Sequence, residues 1–173
     1  MLNRKFNSIS TVAKCLLLFA ACSLTAANAG PFEKGRQHMQ LSLGSGSLLD
    51  DNYIILGIGY GYYLQNGLEL GIDFDLWLDG DPSVYQVTPE VKYVIENSSK
   101  LKPYVGTFYR RNYIEGLDDR DAYGYRAGVY WLTGGGAYIG YGVTYSKLKD
   151  CNETIYFDCE STYSEVSVMI SVN

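Results

Sequence analysis

The sequence has a single histidine, His38, among 173 residues, and only two tryptophans and four prolines. Beyond residue 30 it lacks any apolar run approaching the roughly 20 residues that a membrane-spanning helix needs. An excess of basic residues is also missing, since 14 Lys and Arg face 19 Asp and Glu, a formal net charge of −5. These absences argue against a helical membrane protein and against nucleic acid as a partner.

The first 29 residues have the pattern of a secretory signal peptide. Basic residues precede a short apolar stretch, and the small residues that follow end in Ala27-Asn28-Ala29, which predicts cleavage before Gly30. Three of the Lys and Arg residues lie in this segment, so the predicted mature domain, residues 30–173, keeps 11 against 19 acidic residues, a net charge of −8. Cys22, which follows Phe19-Ala20-Ala21, leaves open an alternative lipoprotein cleavage site.

Two cysteines remain after that cleavage, Cys151 and Cys159, in a polar stretch near the end of the chain. In an exported protein this spacing predicts a disulfide that closes one loop. A metal site would need more ligands nearby, and His38 is distant in the sequence. We therefore expect no metal and no cofactor.

Alternation of apolar and polar residues is the dominant pattern of the mature chain. In residues 68–78 the even positions are all Leu, Ile or Phe, while the odd positions hold three carboxylates, a glycine and Trp77. A strand directs these two sets to opposite faces of a sheet. The same pattern predicts eight strands, at residues 37–46, 53–64, 68–78, 84–95, 101–113, 122–132, 137–148 and 161–172.

The polar face also collects many glycines, among them Gly57, Gly59 and Gly61. Such glycines fit the interior of a narrow barrel, where a large side chain on one strand needs a small one opposite. We therefore predict that the polar face points inward and the apolar face outward to lipid. The charged lumen residues are then Glu69, Asp73, Asp75, Glu90, Lys92, Lys102, Arg110, Arg126 and Glu165. Apart from Asp75, four are acidic and four basic, which permits pairing in a dry interior.

The connections between the strands support the same orientation. Short turns at 65–67, 97–100 and 133–136 alternate with more acidic segments at 50–52, 79–83, 115–121 and 149–160. Outer-membrane barrels have short turns on the periplasmic side and longer loops outside. The outward aromatic residues fall near these two ends, as two bilayer interfaces require. They are Tyr85, Tyr109, Tyr113, Tyr123, Tyr125 and Tyr145 at the loop side, and Tyr60, Tyr62, Tyr93 and Trp131 at the turn side; Tyr141, near mid-depth, fits neither group.

Phrases such as Lys102-Pro103-Tyr104-Val105-Gly106 and Gly124-Tyr125-Arg126-Ala127-Gly128 make the chain resemble a family of small eight-stranded barrels. The transmembrane domain of outer membrane protein A and outer membrane protein X typify that family. The resemblance covers residues 30–173 and implies an all-β, antiparallel, up-and-down transmembrane barrel. It also implies a porin-like protein of the Gram-negative outer membrane, inserted by assembly machinery. The chain departs from the family by ending in Val172-Asn173 instead of an aromatic residue.

Pro89 is a second departure, because it lies inside a predicted strand of a barrel that has no free edge. It must cost a ladder hydrogen bond or mark a bulge.

Catalysis is not expected. Lipid A deacylases of this architecture have a serine two residues from the histidine on one strand, whereas here the sequence is His38-Met39-Gln40. We expect a monomer with a structural or surface-interaction role, surrounded by outer-membrane lipid and lipopolysaccharide. Arg111, Lys147 and Lys149 are candidate contacts for lipopolysaccharide phosphates near the outer rim.

Two alternatives remain open. One is a narrow solute or ion pore gated by the lumen charges. The other is a soluble or lipid-tethered periplasmic barrel that binds an apolar ligand. That barrel would require the row containing Leu70 and Phe74 to face inward.

Overall fold

The computed structural model describes residues 30–48, 51–80, 82–151 and 159–172. The predicted signal peptide, Cys22 and Asn173 lie outside these residues. Within them no helix has the length and hydropathy needed to cross a membrane. The strands are β1 (Gln37–Leu48), β2 (Asp51–Gln65), β3 (Leu68–Leu78), β4 (Val84–Val94), β5 (Leu101–Ile114), β6 (Arg120–Gly134), β7 (Ala137–Leu148) and β8 (Glu160–Val172).

The eight strands form one closed antiparallel barrel. Each strand pairs with its neighbours in the sequence, and β8 pairs back onto β1, with Gln37 opposite Val172. Closure leaves no strand edge whose backbone groups lack a partner. The predicted all-β, eight-stranded, up-and-down barrel is therefore confirmed.

Strands β3 and β7 have the predicted bounds, and the other strands differ mainly at one end of the barrel. There β1 continues to Leu48 and β2 begins at Asp51, although the sequence predicts a connection at 50–52. Similarly, β5 continues to Ile114 and β6 begins at Arg120. In these extensions apolar and polar residues no longer alternate, since Tyr113 and Ile114 are both apolar and Arg120 and Asp121 are both charged. The sequence signal therefore ends before the hydrogen-bonded ladder does.

Successive side chains point alternately out of and into the barrel. On β3, Leu70 and Phe74 are 50% and 47% exposed, whereas Glu69 and Asp73 are only 1% and 5% exposed. Large apolar side chains are exposed on all eight strands, which makes a continuous outward apolar belt. The predicted orientation is confirmed. A barrel that holds an apolar ligand against the Leu70 row is excluded.

The outward tyrosines also lie where the sequence predicts. Tyr85 and Tyr123 near the longer loops are exposed, as are Tyr93 and Trp131 near the short turns. Tyr145 also points outward, but it is half-buried because its ring stacks on that of Tyr125, with the centroids 4.9 Å apart. Tyr141 is outward and 55% exposed.

Pro89 interrupts one ladder of β4. The pairing of β4 with β5 omits Thr88 and Pro89, while the residues on either side keep one register. On its other side, Pro89 pairs with Ile72 of β3. Of the two predicted consequences, the proline therefore costs backbone pairing and does not mark a bulge, because a bulge would shift the register.

Candidate functional site

The interior of the barrel has a charged layer at mid-height with an aromatic cluster on either side. The end that carries the short turns is called the turn end, and the opposite end is the loop end. The turn-end cluster is Phe32, Tyr63, Val94, Tyr104, Tyr130, Tyr138 and Met169. The loop-end cluster is Tyr53, Ile55, Trp77, Val84, Ile114 and Tyr163. All of these side chains are buried.

Lys92 of β4 is the cation in the part of the charged layer that lies nearer the turn end. Its Nζ lies 2.8 Å from Glu90 Oε1 and 3.2 Å from Glu69 Oε1, and all three side chains are almost completely buried. The ammonium also lies 5.8 Å and 5.9 Å from the ring centroids of Tyr104 and Tyr130. Aromatic faces attract a cation at such distances. The turn-end cluster therefore stabilises the charge of Lys92 as well as covering it.

Arg126 of β6 holds the centre of the layer. Its Nη1 lies 3.0 Å from Asp73 Oδ2, 3.2 Å from Glu90 Oε2 and 3.5 Å from Glu165 Oε1. These carboxylates come from three other strands, β3, β4 and β8. One guanidinium thus links four strands across the lumen. It gives the buried carboxylates the partner of opposite charge that they need.

Arg110 of β5 occupies the part of the layer nearer the loop end. Its Nε donates a hydrogen bond to Thr88 Oγ1 at 3.0 Å, and its guanidinium lies 4.6 Å from the centroid of the Phe108 ring. The carboxylate of Asp75, to which the sequence gives no partner, is buried on the same inward face, where Asp75 is paired with Gly57 of β2 and Gln86 of β4.

Lys102 does not join the lumen charges. It is half-buried, and its Nζ donates to the backbone carbonyl of Asn97 at the turn end. Position 102 is the second residue of β5, and a lysine side chain there is long enough to place its ammonium at the mouth of the barrel. Among the described residues, the interior layer has five Asp and Glu side chains against the three Lys and Arg side chains of Lys92, Arg110 and Arg126. The predicted pairing of four with four is wrong in this respect.

Glycines leave room for the buried charges. A Cβ at Gly61 would contact His38 Cε1 and come within 2.6 Å of Glu69 Oε1. A Cβ at Gly59 would meet the carboxylate of Asp73, and one at Gly57 that of Asp75. The predicted opposition of small and large residues across neighbouring strands is confirmed at these positions.

His38 is buried inside the barrel next to Glu69. Its Nε2 lies 3.5 Å from Glu69 Oε1, and the imidazole is 2% exposed. Ser171 faces it in the β1–β8 register, but the Ser171 hydroxyl donates to the backbone carbonyl of Gln37 at 3.4 Å. No cluster of His, Cys, Asp or Glu suited to a metal ion occurs in the part of the chain that the structure describes.

The segment that precedes β1 closes the turn end, which the sequence did not predict. Phe32 is 2% exposed, and its ring centroid lies 5.8 Å, 5.8 Å and 5.1 Å from those of Tyr63, Tyr130 and Tyr138. A single apolar side chain in a seven-residue segment has no periodicity that could reveal it. Gly35 has a φ of +85° at the turn into β1, a conformation that favours glycine.

Backbone hydrogen bonds tie this segment to the barrel. Gly35 N donates to Tyr63 O at 2.8 Å, and Tyr63 N donates to Arg36 O at 2.9 Å, which extends the pairing of β1 with β2. Gly67 N in the β2–β3 turn donates to Phe32 O at 2.8 Å. The segment 30–36 is hereafter called the N-terminal plug.

The loop end carries the predicted disulfide and the predicted rim cations. Cys151 and Cys159 are bonded, with their Cα atoms 5.7 Å apart. The structure places the cations on either side of β6, on β5 and at the end of β7, and pairs two of them with local carboxylates. Arg111 contacts Asp119 at 3.2 Å and Asp121 at 3.0 Å, Lys147 contacts Glu160 at 2.7 Å, and Lys149 N donates to Asp121 O at 2.8 Å.

No protein-family model matches the sequence, and no curated protein sequence matches it. Among solved structures, Neisserial surface protein A is similar, with a TM-score of 0.61 at 17% identity over 78% of this chain and 95% of that one. The N-terminal β-barrel domain of Pseudomonas aeruginosa OprF gives 0.63 at 12% identity over 80% and 100%. A de novo designed transmembrane β-barrel gives 0.56 at 14% identity over 81% and 98%. The fold is that of the small eight-stranded outer-membrane barrels.

Proposed function

We propose that this chain is an integral protein of the bacterial outer membrane, monomeric, with a structural or surface-interaction role and without catalytic activity. The apolar belt on all eight strands carries this proposal. Leu41 and Ile58 are 62% and 59% exposed within it, and a barrel in water would not leave such a continuous surface uncovered. Tyrosine-rich rims at both ends of the belt match the two interfaces of a bilayer.

The packing of the interior supports a closed barrel more than a pore. The turn-end and loop-end clusters lie on either side of the charged layer, and Phe32 adds a further ring at the turn end. Eight strands leave an interior that side chains fill. Buried ion pairs between Lys92, Arg126 and their carboxylates serve here to compensate charges that the closed interior removes from water.

Fractionation of bacteria that express the full chain tests the membrane assignment. We expect the protein in outer membranes after carbonate washing and faster migration on a gel when the sample is not heated. Release by carbonate, or recovery with a soluble periplasmic marker, would contradict the proposal.

Planar-bilayer recording tests the closed interior. Steady openings that disappear in an Arg126→Ala variant would support the gated pore instead.

Lipopolysaccharide is the partner that we propose at the loop end. Arg111, Lys147 and Lys149 lie on β5, on β7 and directly after β7, so they meet at one side of the rim. The tyrosines Tyr109, Tyr123 and Tyr125 lie beside them on the outer surface. Cations above outward aromatic rings suit a lipid whose phosphates lie above its acyl chains. The neighbouring carboxylates compete with those phosphates, so the contact depends on ionic strength.

A triple variant tests this contact. In Arg111→Ala, Lys147→Ala, Lys149→Ala protein, we expect added lipopolysaccharide to raise the heat-unfolding temperature less than in the unchanged protein. The matched control is Lys34→Ala, Lys100→Ala, which removes exposed cations at the turn end. Equal stabilisation of the two variants would argue against the proposed contact.

A further inference from the structure

Within the N-terminal plug, the carboxylate of Glu33 lies next to the backbone nitrogen of the first residue, Gly30. Glu33 Oε1 accepts a hydrogen bond from Gly30 N at 2.8 Å, and Glu33 N lies 3.4 Å from Gly30 O. Gly30 is also the residue before which the sequence predicts cleavage of the signal peptide. The acceptor therefore lies where a new chain terminus would form.

We propose that cleavage between Ala29 and Gly30 creates a charged ligand for Glu33 and thereby locks the N-terminal plug into the barrel. Hydrolysis adds one water across the peptide bond. The oxygen of the water joins the carbonyl carbon of Ala29, which leaves with the signal peptide as a carboxylate, and both protons of the water go to the Gly30 nitrogen, which becomes an ammonium. The neutral amide that donates to Glu33 is thus replaced by a cation at the same place. Charge-assisted hydrogen bonds are shorter and stronger than neutral ones.

The position of this bond explains why it matters for the plug. The plug is tied to β2 through Gly35 and Arg36 and to the β2–β3 turn through the carbonyl of Phe32. Gly30, two residues before Phe32, is hydrogen-bonded to Glu33 through both its nitrogen and its carbonyl oxygen. Locking Gly30 onto Glu33 closes a short ring of chain around Phe32. The ring fixes the approach of this side chain to Tyr130 and Tyr138.

This bond gives proteolytic processing a structural consequence. The precursor has the acceptor but lacks the cation, so its plug is held less firmly than that of the mature chain. We infer that the turn end closes fully only after export and cleavage. The inference stands apart from the proposed role of the barrel in the membrane, because a barrel with a loosely held plug would still insert.

The experiment uses protein purified from outer membranes after expression of the full chain. Intact mass first identifies the mature terminus, which we expect to be Gly30. Hydrogen exchange then follows the amides of Gly35 and Gly67, whose acceptors are Tyr63 O and Phe32 O. In Glu33→Gln the side chain still accepts a hydrogen bond but has no charge. We expect these two amides to exchange about tenfold faster than in the unchanged protein.

A second variant moves the charge and leaves the carboxylate in place. Insertion of one serine between Ala29 and Gly30 makes the nitrogen of Gly30 an amide again after cleavage before the serine. We expect the same acceleration as in Glu33→Gln, and no further acceleration when the two changes are combined. Lys34→Gln is the matched control, because the Lys34 side chain is exposed while its backbone bonds Asn66.

Three results would overturn the inference. The first is a mature terminus other than Gly30. The second is unchanged exchange at Gly35 and Gly67 in Glu33→Gln. The third is additive acceleration in the combined variant, because independent effects would show that the terminus and Glu33 do not act on each other.

Discussion

Arg126 Nη1 lies 3.0 Å from Asp73 Oδ2, although β4 and β5 separate the two strands that carry them. The bond therefore crosses the lumen instead of following the sheet. Backbone ladders fix each strand only against its two neighbours. Cross-lumen pairs of this kind add a link between strands that the ladder leaves independent.

Replacement of Arg126 by methionine should be among the most destabilising changes in the chain. The substitution keeps much of the side-chain volume but leaves Asp73, Glu90 and Glu165 without their common cation. Leaving a buried charge uncompensated costs about 3–5 kcal/mol. Urea unfolding in lipid vesicles, followed by tryptophan fluorescence, measures the loss. Arg111→Met is the control, because that guanidinium is exposed at the rim, and it should shift the midpoint little.

Replacement of Phe74 by lysine tests the depth of the apolar belt. Phe74 is outward on β3, near the middle of the strand, so the change should cost about 2–4 kcal/mol of insertion free energy. Tyr85→Lys, outward near the loop end, should cost about 0–1 kcal/mol. Folding yields in vesicles over a urea series give both values. Equal costs at the two positions would contradict the proposed alignment in the bilayer.

Gly128 should not tolerate alanine. An added Cβ would contact the carbonyl oxygen of Tyr141 and come within 2.7 Å of Gly142 Cα and 2.8 Å of Tyr104 Cε1. Two of these neighbours are backbone atoms that cannot move aside without disturbing the ladder. Overpacking of this kind costs about 2–3 kcal/mol. The measurement is the fraction of protein that shows heat-modifiable migration, with the outward change Ala127→Val as a control that should fold normally.

Loss of the disulfide should affect the loop end and leave the barrel intact. Closing a loop of the size between Cys151 and Cys159 is worth about 2–3 kcal/mol in chain entropy. In Cys151→Ser, Cys159→Ser protein, an external protease should cut this loop faster on whole cells. Heat-modifiable migration should persist. Disappearance of the folded band would show instead that the bond is needed for assembly of the strands.

The fold could be predicted because alternation is a local signal. The neighbours Glu69 and Leu70 already differ in chemistry, and their burial in the structure follows that difference. The inward aromatic residues were present in the same pattern. Trp77 lies on the face that holds Asp73 and Asp75, and the parity of its position places it inside.

Contacts across the lumen could not be predicted. The even or odd position of a residue in its strand determines whether the side chain points inward, but it determines neither the height of that side chain along the barrel axis nor its partner. Lys102 has the inward parity of Tyr104, yet its position at the start of β5 lets its ammonium leave the lumen. The carboxylates around Arg126 come from strands whose relative stagger the sequence does not state. Phe32 belongs to no strand, so the periodicity that revealed the barrel carried no information about the plug.

Thr88 and Pro89 are left out of the backbone pairing between β4 and β5. The barrel wall should therefore open first between these two strands. Every other junction has an unbroken ladder through its middle, whereas this one is joined there by side chains, among them the bond from Arg110 to Thr88. Water or denaturant that enters the wall would find the fewest amide bonds to break at this height. Unrolling of the sheet should begin along that line and run toward both mouths.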